Sequence, residues 1–123
     1  MQRLGLVSDF RPVGQLSGLT ELALGGNQMG DMSFLRNLRN LRALSLDNAE
    51  MTSLDVLPGL RALEDLDLVD ATLPDDISAL TRIPNLKTLS ISDWSLTDAQ
   101  RVVLDQLEAR GVTVDIAPAV IVC

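Results

Sequence analysis

The feature that most constrains this chain is a motif that returns at nearly constant spacing. The segment Leu19-x-x-Leu22-x-Leu24-x-x-Asn27-x-Met29 recurs as Leu41-x-x-Leu44-x-Leu46-x-x-Ala49-x-Met51, as Leu63-x-x-Leu66-x-Leu68-x-x-Ala71-x-Leu73 and as Leu86-x-x-Leu89-x-Ile91-x-x-Trp94-x-Leu96. A degenerate fifth copy is read at Ala109, Val112, Val114 and Ala117. Successive starts, near 19, 41, 63, 86 and 109, lie 22, 22, 23 and 23 residues apart. A unit this short cannot bury its apolar face alone, so a fixed period of this size implies repeats stacked into a solenoid with one continuous core. Leucine makes up about a fifth of the sequence and aromatics 2%, so that core is built from one branched aliphatic shape used repeatedly.

Each period has two halves. The Leu-x-Leu piece alternates with period two and predicts a short strand. The following stretch spaces its apolar residues by three: Val7, Phe10, Val13, Leu16, Leu19, then Met29, Met32, Leu35, Leu38, Leu41, then Met51, Leu54, Leu57, Leu60, Leu63. That spacing suits extended chain or 3₁₀ turns packing the outer side of a coil. On these residues the chain resembles leucine-rich repeats, specifically the short 22-residue class of bacterial internalins, and residues Val7 to Leu19 resemble that class's connecting arm. The resemblance implies a right-handed solenoid whose concave face is a parallel sheet, and recognition of other proteins through that face. The consensus asparagine of the class is present only at Asn27, with Ala49, Ala71, Trp94 and Ala117 at the equivalent positions, so a side-chain asparagine ladder is predicted to be largely missing.

The last unit differs. Thr97-Asp98-Ala99-Gln100 reads as a capping box, Val103, Leu104 and Leu107 form an apolar stripe, and Gly111 stops a helix after Arg110, which predicts about three turns of α-helix. Val112-Thr113-Val114 would add the final strand and Ala119-Val120-Ile121-Val122 an apolar tail, while Leu4 and Leu6 shield the first coil. The expected architecture is therefore α/β: one leucine-rich-repeat domain over 1–123, with a partial first repeat over 1–18, a curved parallel sheet on the concave face, and 3₁₀ or extended arms and a C-terminal helix on the convex face. Neither end reads as a polar cap, which is compatible with pairing to another chain or with a module of a longer protein.

Composition narrows function mainly by exclusion. At 123 residues and 46% apolar, the chain suffices for a packed core, and no apolar run approaches the ~20 residues a membrane span requires. A formal charge of −7 removes the basic surface that supplies nucleic-acid affinity and opposes binding to anionic lipid. There is no histidine or tyrosine and Cys123 is the only cysteine, so histidine-dependent triads and histidine or multi-cysteine metal sites cannot be built. No cofactor is expected. The lone cysteine and the absence of a charged-then-apolar leader at Met1 to Asp9 make the cytoplasm the expected setting.

On a period-two strand, residues between the consensus leucines face outward, so the concave surface can be read as columns. These are Glu21, Ala43, Asp65 and Thr88; Ala23, Ser45, Asp67, Ser90 and Thr113; Gly25, Asp47, Val69, Ser92 and Asp115; and Gly26, Asn48, Asp70 and Asp93. None contains lysine or arginine, whereas Arg36, Arg39, Arg61, Arg82 and Arg101 lie on the arms. The candidate partner-binding residues are Asp47, Asp65, Asp67 and Asp70, flanked by Glu21, Asp93 and Asp115. With strands about 4.8 Å apart, these carboxylates are expected within a Debye length, about 8 Å, of a neighbour, so exchanging Asp65, Asp67 and Asp70 for asparagine should maintain or raise stability.

Two readings of the strip stay open: a polar face that keeps the sheet soluble, or a surface that docks a basic or polar protein, with charge setting on-rate and specificity. A metal site at Asp65, Asp67 and Asp70 lacks the glycine and terminal glutamate of a calcium loop. Asp65 and Asp67, ~6.6 Å apart, match inverting-glycosidase spacing but have no apolar wall to raise one pKa. Gly25-Gly26 precedes no phosphate-binding helix turn. Trp94 and Met29, Met32 and Met51 read as coil filling before recognition groups, and Cys123 as an unpaired thiol. The reading is a non-enzymatic protein-binding module that uses the acidic face. The alternative is a sensor or assembly module of a multidomain bacterial regulator, or a homo-oligomer, joined through apolar solenoid ends.

Overall fold

The three-residue spacing of the arms becomes a hydrogen-bond pattern. In the computed structural model, which describes residues 2–3, 18–26, 28–29, 32–51, 53–92 and 96–117, each arm leucine donates its N–H to the carbonyl three residues earlier. Leu35 bonds Met32, Leu38 bonds Leu35 and Leu41 bonds Leu38 at 2.9–3.2 Å. The next arm repeats this through Leu54, Leu57, Leu60 and Leu63, at 2.9–3.1 Å. One apolar residue per 3₁₀ turn keeps every leucine on the same side, facing inward. The 3₁₀ segments are Ser33–Asn37, Leu57–Gly59 and Ser78–Arg82.

Strands β1 (Gln2–Arg3), β2 (Glu21–Ala23), β4 (Ala43–Ser45), β6 (Asp65–Leu68), β7 (Thr88–Ser92) and β8 (Thr113–Ala117) form one parallel sheet in the order β1-β2-β4-β6-β7-β8. Short strands β3 (Gln28–Met29) and β5 (Glu50–Met51) pair beside it, and a bridge from Glu50 to Thr72 carries that second ladder into the next coil. The consensus leucines are stacked in register: Leu22, Leu44, Leu66, Leu89 and Val114 form one row, and Leu68, Ile91 and Ile116 another. Apart from exposed Ile116 and half-buried Val114, they make one continuous core with Leu24, Leu46 and the arm leucines, most of it fully buried. Met32 and Met51 lie in this core. Asn27, Trp94, Leu4, Leu6, the arm from Val7, the tail from Ala119 and Cys123 lie outside the described residues, and so do the sequence expectations placed on them.

Helix α1 (Asp98–Ala109) carries both halves of the capping box: Gln100 N–H donates to Thr97 Oγ1 at 3.1 Å, and Thr97 N–H to Gln100 Oε1 at 2.9 Å. Leu104 and Leu107 are buried and Val103 partly so, and Gly111 takes φ +96°, the left-handed stop. The helix alters the repeat length. Thr113 pairs with Thr88, Val114 with Leu89 and Asp115 with Ser90, which gives a final step of 25 residues where the sequence alignment starting at Ala109 has 23. A helix advances about 1.5 Å per residue against about 3.3 Å for extended chain, so a helical arm needs more residues to cover its return path.

Candidate functional site

The sheet's outward face carries two rows fixed by the register. One runs Glu21, Ala43, Asp65, Thr88, Thr113, and the other Ala23, Ser45, Asp67, Ser90, Asp115. The shifted last strand thus moves Thr113 into the Asp65 row and Asp115 into the Asp67 row, away from the columns assigned from sequence. Ala23 is buried. Along each row a small neutral residue separates one carboxylate from the next, which places them two strands, or about 9.6 Å, apart. This exceeds the ~8 Å screening length, so repulsion along each row is weak. The close neighbours are Asp65 and Asp67 on one strand and Asp47 and Asp67 across a hydroxyl.

That hydroxyl belongs to Ser45. Its Oγ donates to Asp47 Oδ1 at 2.7 Å and lies 3.4 Å from Asp67 Oδ2. Asp67 Oδ1 in turn accepts the Val69 N–H at 2.9 Å, an Asx turn that closes the end of β6. One coil further, Ser92 Oγ accepts the Asp70 N–H at 2.7 Å and donates to Asp70 Oδ1 at 3.1 Å. Asp47, Asp67 and Asp70 are therefore tied into the turns that follow the strands. Beside the repulsion expected from their spacing, each of these carboxylates accepts a hydrogen bond from a serine hydroxyl or a backbone N–H. Where the asparagine ladder is missing, serine-aspartate pairs one repeat apart connect the coils.

Asp70 differs from the strand residues in a second way. Gly26, Asn48 and Asp70 occupy equivalent positions, and all three have left-handed backbone, at φ 79°, 57° and 59°. Glycine, asparagine and aspartate are the residues that tolerate this conformation, so this column is selected by the turn and not by the sheet face. The Gly-Asn-Asp series at period 22 was the available sequence signal. Gly25 is constrained otherwise: a Cβ there would lie 2.5 Å from Asp47 Oδ1 and 2.8 Å from the Asp47 carbonyl oxygen.

Glu21, Asp65 and Asp115 are exposed, and their carboxylates make no hydrogen bond or ion pair with the described residues. Asp47 and Asp67 are half-buried and Asp70 exposed; Asp93 lies outside the described residues. The strip is bordered by a feature the sequence columns omitted. Arg42 and Lys87 flank Glu64 on three consecutive coils, with N–O distances of 3.9 and 3.4 Å to Glu64 Oε2. Their recurrence at 42, 64 and 87 was the readable signal. Among the described residues no group of three His, Cys, Asp or Glu side chains is placed to hold a metal ion, and no helix is long and apolar enough to cross a membrane.

Stacked strand-and-arm units with a parallel sheet on one side and 3₁₀ arms on the other define a leucine-rich-repeat solenoid. Solved structures of the same fold include internalin C2 of Listeria monocytogenes, at 21% identity and TM-score 0.64 over 92% of this chain, and internalin F of the same organism, at 22% identity and TM-score 0.50 over 89%. The chain spans 57% and 37% of those two chains. The sequence matches no protein-family model and no curated protein.

Proposed function

We propose that the chain is a non-enzymatic protein-interaction module that holds a basic or polar protein surface against the acidic face of its sheet. The observation that carries this reading is the division of labour among the carboxylates. The Asp47, Asp67 and Asp70 carboxylates are anchored by hydroxyl and backbone donors, whereas those of Glu21, Asp65 and Asp115, in the two sheet rows, have no partner among the described residues. The anchored acids supply a fixed negative field. The free ones, spaced by Ala43, Ser45, Thr88 and Ser90, leave gaps in which lysine or arginine side chains of a partner can lie. The single cysteine suits a cytoplasmic setting.

The test is affinity capture from lysate at two salt concentrations, with wild type beside a Glu21→Lys/Asp65→Lys/Asp115→Lys variant. These three substitutions remove no hydrogen bond among the described residues, so the fold should survive, as circular dichroism would verify. A partner held by wild type, released by salt and lost in the variant supports the reading; capture indifferent to both refutes it. One observation favours the end-to-end alternative: β8 is the last strand in the sheet order and its Ile116 is 39% exposed. Mass that grows with concentration and falls in Ile116→Lys would establish that mode of assembly.

A further inference from the structure

The arms carry a second charged surface of opposite sign. Arg36, Arg39 and Arg61 line a groove with Asp55, Val56 and Gly59. Arg39 and Arg61 are 22 residues apart, at equivalent positions on neighbouring coils, and Arg36 lies in the last turn of the 3₁₀ segment Ser33–Asn37. All three arginines are exposed, and their guanidinium groups make no hydrogen bond or ion pair with the described residues. Other bases are engaged: Arg42 and Lys87 with Glu64, and Arg110 with the Thr81 and Ile83 carbonyls. Arg36, Arg39 and Arg61 thus bring three exposed guanidinium groups without ion-pair partners among the described residues to one groove, in a chain with 17 acids and 10 bases.

The wall of the groove points the same way. Gly59 needs neither unusual backbone nor close packing, since its φ is not positive and a Cβ there would meet nothing within 4 Å. The fold accepts a larger residue at this position, and glycine keeps the groove open. Half-buried Val56 gives it an apolar patch, and Asp55 places one negative charge at its lining.

We infer that this groove docks an extended acidic peptide segment of a protein partner. Its glutamate or aspartate side chains would be taken by Arg39 and Arg61 on successive coils and by Arg36, with an apolar side chain against Val56. Guanidinium forks match carboxylates in paired hydrogen bonds. The Asp55 carboxylate and the chain's net charge of −7 oppose a dense polyanion such as nucleic acid, while a short peptide chain can thread between them. This surface is independent of the acidic sheet face, and a failure of either leaves the other standing.

Fluorescence anisotropy of a labelled ten-residue peptide of glutamates around one leucine tests the inference, with a lysine-based peptide and a ten-nucleotide single-stranded DNA as comparison probes. The acidic peptide should bind, with affinity falling as salt rises, and the Arg36→Glu/Arg39→Glu/Arg61→Glu variant should weaken it at least tenfold. Gly59→Phe, with unchanged circular dichroism, should weaken it similarly by filling the groove. No binding by wild type, or binding that survives both variants, overturns the inference. Tighter binding of the DNA overturns it in favour of a polyanion site. Self-association abolished by the arginine variant overturns it in favour of a second copy as occupant.

Discussion

Replacing Gly25 by alanine probes how the sheet face is tied to its turns. The added Cβ would sit 2.5 Å from Asp47 Oδ1, 2.9 Å from Asp47 Cγ and 2.8 Å from the Asp47 carbonyl oxygen. The side-chain overlaps can be relieved by rotating Asp47, which forfeits the 2.7 Å bond from Ser45 at a net cost of about 1 kcal/mol. The carbonyl cannot move without lengthening its 2.9 Å bond from the Gly26 N–H, and forced overpacking of this kind costs about 1–3 kcal/mol. The sum is about 3 kcal/mol. At an unfolding entropy of about 2.1 cal/mol/K per residue, that lowers Tm by about 12 °C. Asp47→Ala alone should cost about 1 kcal/mol. The double variant should cost about 3 and not the additive 4, because truncating Asp47 removes the Oδ1 and Cγ overlaps but leaves the carbonyl. Chemical denaturation of the four proteins gives the cycle. A Gly25→Ala variant within about 0.5 kcal/mol of wild type, or strictly additive effects, would refute the packing described here.

Leu66→Ala, at a 2% exposed position between Leu44 and Leu89, should cost about 2–5 kcal/mol in denaturant melts, and tolerance would mean that the strand register is wrong. Ser92→Ala removes the acceptor of the Asp70 N–H and should cost about 1–3 kcal/mol, with faster hydrogen exchange at that amide as its local mark. Exchanging Asp65, Asp67 and Asp70 for asparagine should leave Tm within a few degrees. The amide oxygen introduced by Asp67→Asn still accepts the Val69 N–H, and Asp70→Asn places a residue suited to left-handed backbone at that turn. By contrast, Asp70→Val alone should cost about 1–2 kcal/mol through its φ of 59°. The Asp76 carboxylate is held below its ordinary 3.8 by hydrogen bonds from the Ser78 side chain and backbone, with a smaller pull from Arg82. A depressed folded pKa means its stabilisation is complete above the unfolded value and disappears as pH falls through the folded one. Carboxyl titration by NMR should place Asp76 below 3.8, and Ser78→Ala should raise it.

The fold was legible because its information is periodic. Leu22, Leu44, Leu66 and Leu89 recur every 22 or 23 residues, and the three-residue spacing through Leu54, Leu57, Leu60 and Leu63 specifies 3₁₀ turns directly. The capping box at Thr97 and the stop at Gly111 were equally local. The register of β8 was not, because it depends on the path length of a helix compared with that of an arm, and no residue pattern states a path length. At the candidate site, the rows through Asp65 and Asp67 followed from alternation, but their hydrogen bonds did not. Ser45 to Asp67 and Asp70 to Ser92 each join residues 22 apart, so these pairs exist only once the coils stack. Asp70 shows the main hazard of reading faces from sequence: it shares its composition with the acidic strip and its cause with Gly26 and Asn48.

Association kinetics of the captured partner report whether the sheet face draws that partner in by charge. Rate constants should be measured from about 50 to about 300 mM salt for wild type, the Glu21→Lys/Asp65→Lys/Asp115→Lys variant and the Arg36→Glu/Arg39→Glu/Arg61→Glu variant. Complementary charge acts mainly on association, so kon of wild type should fall steeply with salt. At low salt the sheet-face variant should associate at least tenfold more slowly, and the arm variant no more slowly than wild type. An association rate unchanged by the sheet-face substitutions, or lost only with the arm arginines, would contradict the account.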